Sequence, residues 1–372
     1  MGESIGTGLR IALVGLMLAS APAAMAKALV IPKPRVAQPR VKGVPMPRQV
    51  HAKLGPLAKA FTGLVPFAAA PFPFDGAKPS EGPFLNIYAA GRRGHASRGS
   101  TYWEDIQYSD NRVLLYQPKG FDVRKPAVMV VFFHGNGATL ERDVMYRQAV
   151  PRQVAQSGLN AILVAPQFAV DAQDSSAGQF WQPGTFRQFL DEATVHLVEQ
   201  YGDERTRRAF ANMPVVLVAY SGGYNPAAFV LAGGGADKRI HGVVLLDALY
   251  GEVPKFADWI AARRDTFFFS TFTASSAPGN AELQHLLAQH KISLAKTLGT
   301  KLGKGSVTFL PALPDAVHGD FVTHAFVNDP VKEVLLRLPE YAHKPGAVKS
   351  NYKPPEAQAQ ILAVDPPLQP SQ

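Results

Sequence analysis

The chain has 372 residues, 47% of them hydrophobic, with 38 cationic against 29 acidic side chains and no cysteine. Its length and apolar content are those of a globular protein with a sizeable core. The missing cysteine excludes a disulfide framework, thiol chemistry and a cysteine-borne lipid anchor.

In chain order, MGESIGTGLRIALVGLMLASAPAAMA comes first, with Arg10, an apolar run from Ile11 to Leu18, and Ala24 and Ala26 in an A-x-A arrangement. This predicts a signal peptide over residues 1–26 and an exported product, periplasmic or secreted. An uncleaved anchor is the competing reading, but the apolar run is short for a hydrocarbon layer of roughly 30 Å. No other transmembrane segment is expected once the signal is cleaved.

Residues 27–83 read as a basic, proline-rich arm. Eight cationic residues and no acid lie between Lys27 and Lys59, so nearly all of the net charge of +9 sits there. Residues 27–60 either meet an anionic envelope surface or serve as a solvated spacer. Nucleic-acid binding is not expected, because basic and aromatic residues do not interleave on a recognisable module. A second proline-rich stretch, 344–372, reads as a C-terminal tail.

Between 84 and 343, short apolar runs alternate with helical patterns. Strands are expected at Val113–Tyr116, Ala127–Phe133, Asn160–Ala165, Val215–Tyr220, Gly242–Leu246, Thr266–Phe272 and Val307–Leu310. The first of these suits an antiparallel edge position; the later ones are apolar almost throughout, as in strands covered on both faces. In TFRQFLDEATVHLVEQYG, Phe186, Phe189, Leu190, Ala193, Leu197 and Tyr201 recur at helical spacing, with Gly202 as C-terminal cap. Asn280 is expected to cap a helix through Leu287, and Asp329-Pro330 to open another. The alternation predicts an α/β sheet, mostly parallel.

Ligands gather at the carboxyl ends of such strands, and Ser221 stands at one of them, in VVLVAYSGGYNPAAF. Gly222 and Gly223 permit a sharp turn that pushes the hydroxyl outward, although Ala219 replaces the first glycine of a G-x-S-x-G elbow. A capping serine in a glycine-rich turn is the plain alternative. A serine hydroxyl needs a base, an acid to orient that base, and donors for an oxyanion. The loop His134-Gly135-Asn136-Gly137 follows a strand and suits backbone donation, with Asn136 the best candidate and Gly222 the second donor. His134 itself reads as structural in preference to catalytic.

Asp247 ends the run GVVLLD, where it either caps the next helix or orients a histidine. The loop TASSAPGN after the following strand carries no acid before Glu282, which leaves Asp247 the well-placed carboxylate. His318, beside Gly319 and soon after the last strand, is preferred over His324 as base.

With FFHGNG, AYSGGY, LLDALYG and HGDF together, the region from Arg112 to Leu338 resembles the α/β-hydrolase superfamily. The segment RVLLYQPKGFDVRKPAVMVVFFHGNG is similar to the first strands of its secreted esterases and polyester depolymerases. The resemblance implies an α/β-hydrolase fold with a mostly parallel sheet of about eight strands flanked by helices on both faces. It also implies acyl transfer to water with no metal or organic cofactor, Ser221 acting as nucleophile, His318 as base and then acid, and Asp247 as orienting carboxylate. The elbow alanine departs from the superfamily pattern, as does the position of the acid one strand early.

The expected function is therefore an exported serine hydrolase cleaving a small-molecule or polymer carboxylic ester. Amide cleavage by an amidase or peptidase uses the same residues, and a silent hydrolase fold binding a ligand at the cell envelope is the alternative from another class. Trp181, in the loop from Ala165 to Gly184, is a candidate substrate-pocket wall, as are Tyr220 and Tyr224; Phe180 reads as packing.

Overall fold

In the computed structural model, residues 59–346 and 350–353 are described. The expected signal peptide, most of the basic arm and most of the C-terminal tail lie outside them. Among the described residues, no helix is long and apolar enough to cross a membrane.

Eight strands form the central sheet: β1 (Phe61–Pro66), β2 (Arg112–Gln117), β3 (Val128–Phe133), β4 (Ala161–Pro166), β5 (Val215–Tyr220), β6 (Ile240–Leu246), β7 (Phe267–Phe272) and β8 (Val307–Pro311). Their spatial order is β1-β2-β4-β3-β5-β6-β7-β8. Strands β3 to β8 run parallel, while β2 is antiparallel to both β1 and β4.

The helices are α1 (Val150–Gln156), α2 (Thr185–Tyr201), α3 (Tyr224–Gly233), α4 (Val253–Ala262), α5 (Ala277–Gln289) and α6 (Pro330–Leu335), with several shorter turns between them. Strand alternation sorts β5 between two cores. Val215, Leu217 and Ala219 join Phe186 and Phe189 of α2, Ala227 of α3, Phe256 of α4 and Leu283 of α5. Val216, Val218 and Tyr220 join Val150 and Val154 of α1 and Val334 of α6. Both faces of the sheet are thus covered, which is why β3, β4 and β5 are buried at every position. This is the α/β-hydrolase architecture.

Two expectations need correction. The domain does not begin at 84: β1 pairs with β2 along its whole length, and Phe67, Phe72 and Phe74 are buried in the core. Proline content drew the boundary too late, because prolines here punctuate a packed segment that covers β2 and displaces it from the edge. Nor does Asn280 cap a helix. Helix α5 starts at Ala277, and the buried Asn280 side chain accepts a hydrogen bond from Ser270 Oγ at 2.6 Å and donates to the Ser276 carbonyl.

Between β1 and β2, a three-stranded sheet (Ile87–Ala89, Arg92–Ser97, Ser100–Trp103) is followed by a single helical turn. Beneath it Phe72, Phe84, Tyr108 and Trp181 pack their rings together.

Candidate active site

Register brings the site together. Ala219 of β5 lies beside Phe133 of β3, Tyr220 beside Leu246 of β6, Leu246 beside Thr271 of β7, and Thr271 beside Leu310 of β8. The residues that follow these strand ends therefore share one edge: the Gly135-Asn136 loop, Ser221, Asp247, the Thr273–Ser276 loop and, beyond β8, His318.

Ser221 has φ +51, a left-handed conformation unfavourable for a residue with a side chain. The turn holds because the surrounding glycines admit very close approach. A Cβ on Gly223 would sit 2.5 Å from the Phe133 carbonyl oxygen, and one on Gly222 would overlap the Asn136 carboxamide at 1.9 Å. Gly135 passes so near that its Cβ would lie 2.7 Å from Ser221 Cβ.

The Ser221 hydroxyl donates to His318 Nε2 at 2.8 Å, and His318 Nδ1–H donates to Asp247 Oδ2 at 2.7 Å. The Asp247 side chain is fully buried, whereas that of His318 is 42% exposed, so the imidazole opens to solvent. Burial alone pushes the Asp247 carboxyl up; hydrogen bonds from His318, Ser276 and Thr273 outweigh it and hold the carboxyl at about 2. Those donors are the Thr273 N–H at 2.9 Å, the Thr273 hydroxyl at 2.9 Å, and Ser276 Oγ–H. The loop that lacked an acid thus supplies the donors for the acid one strand away.

Tyr250 was not singled out in the sequence. Its hydroxyl lies 3.3 Å from both Asp247 Oδ2 and His318 Nδ1, and 2.9 Å from Ser275 Oγ. Its place shortly after Asp247, on the same loop, is the signal that would have found it. Arg147 was also missed; its guanidinium donates to the Gly319 carbonyl at 2.8 Å and ties the histidine loop to the helix Leu140–Arg147.

Asn136 accepts from Ser175 Oγ at 3.1 Å through its side chain, while among the described residues its backbone N–H has no acceptor. It stands with Gly222 and Ser175 around one small cavity. His134 is structural: its Nδ1–H donates to the Gly135 carbonyl, its Nε2 accepts from the Phe168 N–H, and burial pushes it down to about 4. His324 bonds to Asp315 and Asn328, and among the described residues no hydrogen bond joins it to Ser221.

Of the three pocket candidates, Trp181 and Tyr224 line a cleft of about 250 Å³ beside the elbow. Tyr220 does not. As the last residue of β5 its ring falls on the opposite face, stacked 5.3 Å from His318, and its hydroxyl donates to the His318 carbonyl at 2.7 Å. Phe180 packs among Phe133, Phe186 and Phe189.

No family model matches the chain, and no curated protein matches it. Among solved structures it is similar to a mutant of the feruloyl esterase module from Clostridium thermocellum complexed with sinapinate. That likeness has 15% identity and a TM-score of 0.41, over 76% of this chain and 100% of the other. An IroE-like serine hydrolase from Shewanella oneidensis is similar at 13% identity and a TM-score of 0.38, over 61% of this chain and 74% of the other. Esterase 2 from Thermogutta terrifontis, phosphorylated by paraoxon, is similar at 11% identity and a TM-score of 0.37, over 60% and 85%. Likeness at this level transfers no residue role and no substrate.

Proposed function

We propose that the chain is a serine hydrolase that cleaves carboxylic esters through an acyl-enzyme. The observation that carries this reading is the unbroken relay from Ser221 Oγ through His318 to the buried Asp247 carboxylate, at 2.8 and 2.7 Å. His318 Nε2 takes the hydroxyl proton as Ser221 Oγ attacks the ester carbonyl. The imidazolium so formed is stabilised by Asp247, which stays ionised because its donors hold it at about 2.

Negative charge on the carbonyl oxygen then meets the backbone N–H groups of Asn136 and Gly222, the two oxyanion donors of this reading. His318 returns the proton to the departing alcohol. In the second half, His318 removes a proton from water, the hydroxide attacks the acyl carbon, and Ser221 leaves with its proton restored. The similarity of the segment 112–137 to secreted esterases supports the ester reading, and amide cleavage would use the same residues. The test is a screen of p-nitrophenyl esters against peptide amides with wild type, Ser221→Ala and His318→Ala. Ester turnover lost in both variants supports the reading; turnover retained in Ser221→Ala contradicts it.

Residues 1–26 are, on the same footing, proposed as an export signal, supported by Arg10, the run Ile11–Leu18 and the Ala24/Ala26 pair. Amino-terminal sequencing of the exported chain should begin at Lys27. Salt-sensitive adhesion of residues 27–60 to anionic vesicles tests the arm.

A further inference from the structure

The cleft beside the elbow holds polar groups that the hydrolytic chemistry does not use. Arg98 lies on its wall, at the tip of the hairpin formed by Arg92–Ser97 and Ser100–Trp103. Arg98 and Gly99 both have positive φ, 49° and 76°, the geometry of a tight two-residue hairpin turn. The tip is anchored to the opposite wall: Ser97 Oγ donates to the Gln173 carbonyl and Asp174 at 3.3 Å, and Tyr102 Oη accepts from the Gln173 N–H at 3.0 Å. Arg98 is therefore held over the cleft by a short, tied turn.

Arg98 is exposed, and no protein carboxylate forms an ion pair with it among the described residues. Three carboxylates line the same cleft, and each is engaged elsewhere. Glu81 pairs with Lys78 at 2.6 Å, and Glu252 pairs with Lys255. Asp174 accepts from Ser176 Oγ and Tyr108 Oη, each at 2.9 Å. Among the described residues, Arg98 makes no ion pair and no hydrogen bond, and the Tyr224 hydroxyl makes no hydrogen bond. Burial pushes the Tyr224 hydroxyl up, the Arg98 charge opposes that rise and the Glu252 carboxylate adds to it, so Arg98 lies within electrostatic reach of Tyr224. The cleft meets the proposed oxyanion loop at Ser175, which lines it and donates to Asn136.

We propose that Arg98, with Tyr224, binds a carboxylate carried by the substrate, so that the preferred esters are monoesters of dicarboxylic acids. This rests on the esterase reading above and adds a substrate class to it. A guanidinium presents a planar fork of donors that matches a carboxylate, and the Tyr224 phenol supplies a further donor beside it.

The test has two arms. In the first, kcat/KM is measured by pH-stat for monomethyl esters of the C4 to C8 diacids and for methyl alkanoates of equal length, at low salt. At the best-fitting length the anionic ester should exceed its neutral counterpart by about tenfold or more, the scale of a charge-assisted hydrogen bond. Arg98→Gln should reduce that ratio about tenfold, and 0.5 M NaCl should reduce it in wild type. In the second arm, the free diacids are titrated calorimetrically into Ser221→Ala and into Ser221→Ala with Arg98→Gln; the added substitution should weaken binding about tenfold. Ester turnover with no anionic preference at any length, or a ratio undiminished in Arg98→Gln, overturns the carboxylate site and leaves the esterase reading standing. Diacid binding that depends on Arg98, with no ester turned over, supports the site and overturns the esterase reading alone. Equal diacid binding in the two variants overturns the site by itself.

Discussion

Gly135→Ala puts a methyl carbon where the closest approach to Ser221 Cβ is 2.7 Å and to the Tyr220 ring 3.1 Å. Carbon atoms rest at about 3.5–4.0 Å, so the contact with Ser221 must open by about 1 Å. Neither side yields easily. Ser221 is already held at φ +51, and the far side of its turn is blocked by Gly223, which has no room even for a Cβ beneath the Phe133 carbonyl. A shift of about 1 Å in a reacting group costs roughly 100-fold in rate, or about 2.7 kcal/mol of barrier. Overpacking of this kind costs about 1–3 kcal/mol of stability, which lowers Tm by roughly 2–4 °C per kcal/mol in a domain of this size class. The expected outcome is a folded protein, by circular dichroism, with kcat on p-nitrophenyl acetate down about 100-fold and a Tm a few degrees lower. Turnover within twofold of wild type and an unshifted melt would refute the close-packed elbow.

On the proposed mechanism, Asp247→Asn removes the charge that would steady the imidazolium and sets an amide against a row of donors, so kcat/KM should fall about 10⁴-fold. The Asp247 carboxyl is depressed from 3.8 to about 2, so its contribution of roughly 2 kcal/mol is present above pH 3.8 and lost as pH falls through 2. Urea unfolding of wild type between pH 5 and pH 2 should show that loss, and the same series on Asp247→Asn should lack it. Tyr220→Phe deletes the 2.7 Å bond to the His318 carbonyl, and a loss of about 1 kcal/mol in stability with a several-fold lower kcat is expected from denaturation and steady-state kinetics. Phe67 is 1% exposed and packs 5.4 Å from the Phe189 ring, so Phe67→Ala should cost about 3–5 kcal/mol in urea unfolding. A near-neutral result there would return residues 61–83 to the arm.

Strands were legible where both faces are buried. Val215–Tyr220 has no polar position to obscure it, and each of the seven expected strands lies within two residues of an observed one. β1 was not legible, because FTGLVP is short, only partly buried, and embedded among prolines that suggested a linker. Chain order and strand ends were enough to bring forward Ser221, Asp247 and His318, whose side chains lie in hydrogen-bond contact. The supports of that cluster were hidden, since nothing in TASSA distinguishes hydroxyls aimed at a carboxylate from hydroxyls facing water. Tyr220 was misplaced for a related reason: at the end of a strand, alternation and not proximity to Ser221 decides which face a ring takes.

The most direct measurement is the mass of the protein after reaction with a fluorophosphonate, followed by peptide mapping. A single adduct on the Ser221 peptide, formed slowly in His318→Ala and absent in Ser221→Ala, is the result expected of a nucleophile activated by a neighbouring imidazole. An unlabelled wild-type protein, or an adduct that persists in Ser221→Ala, would contradict it.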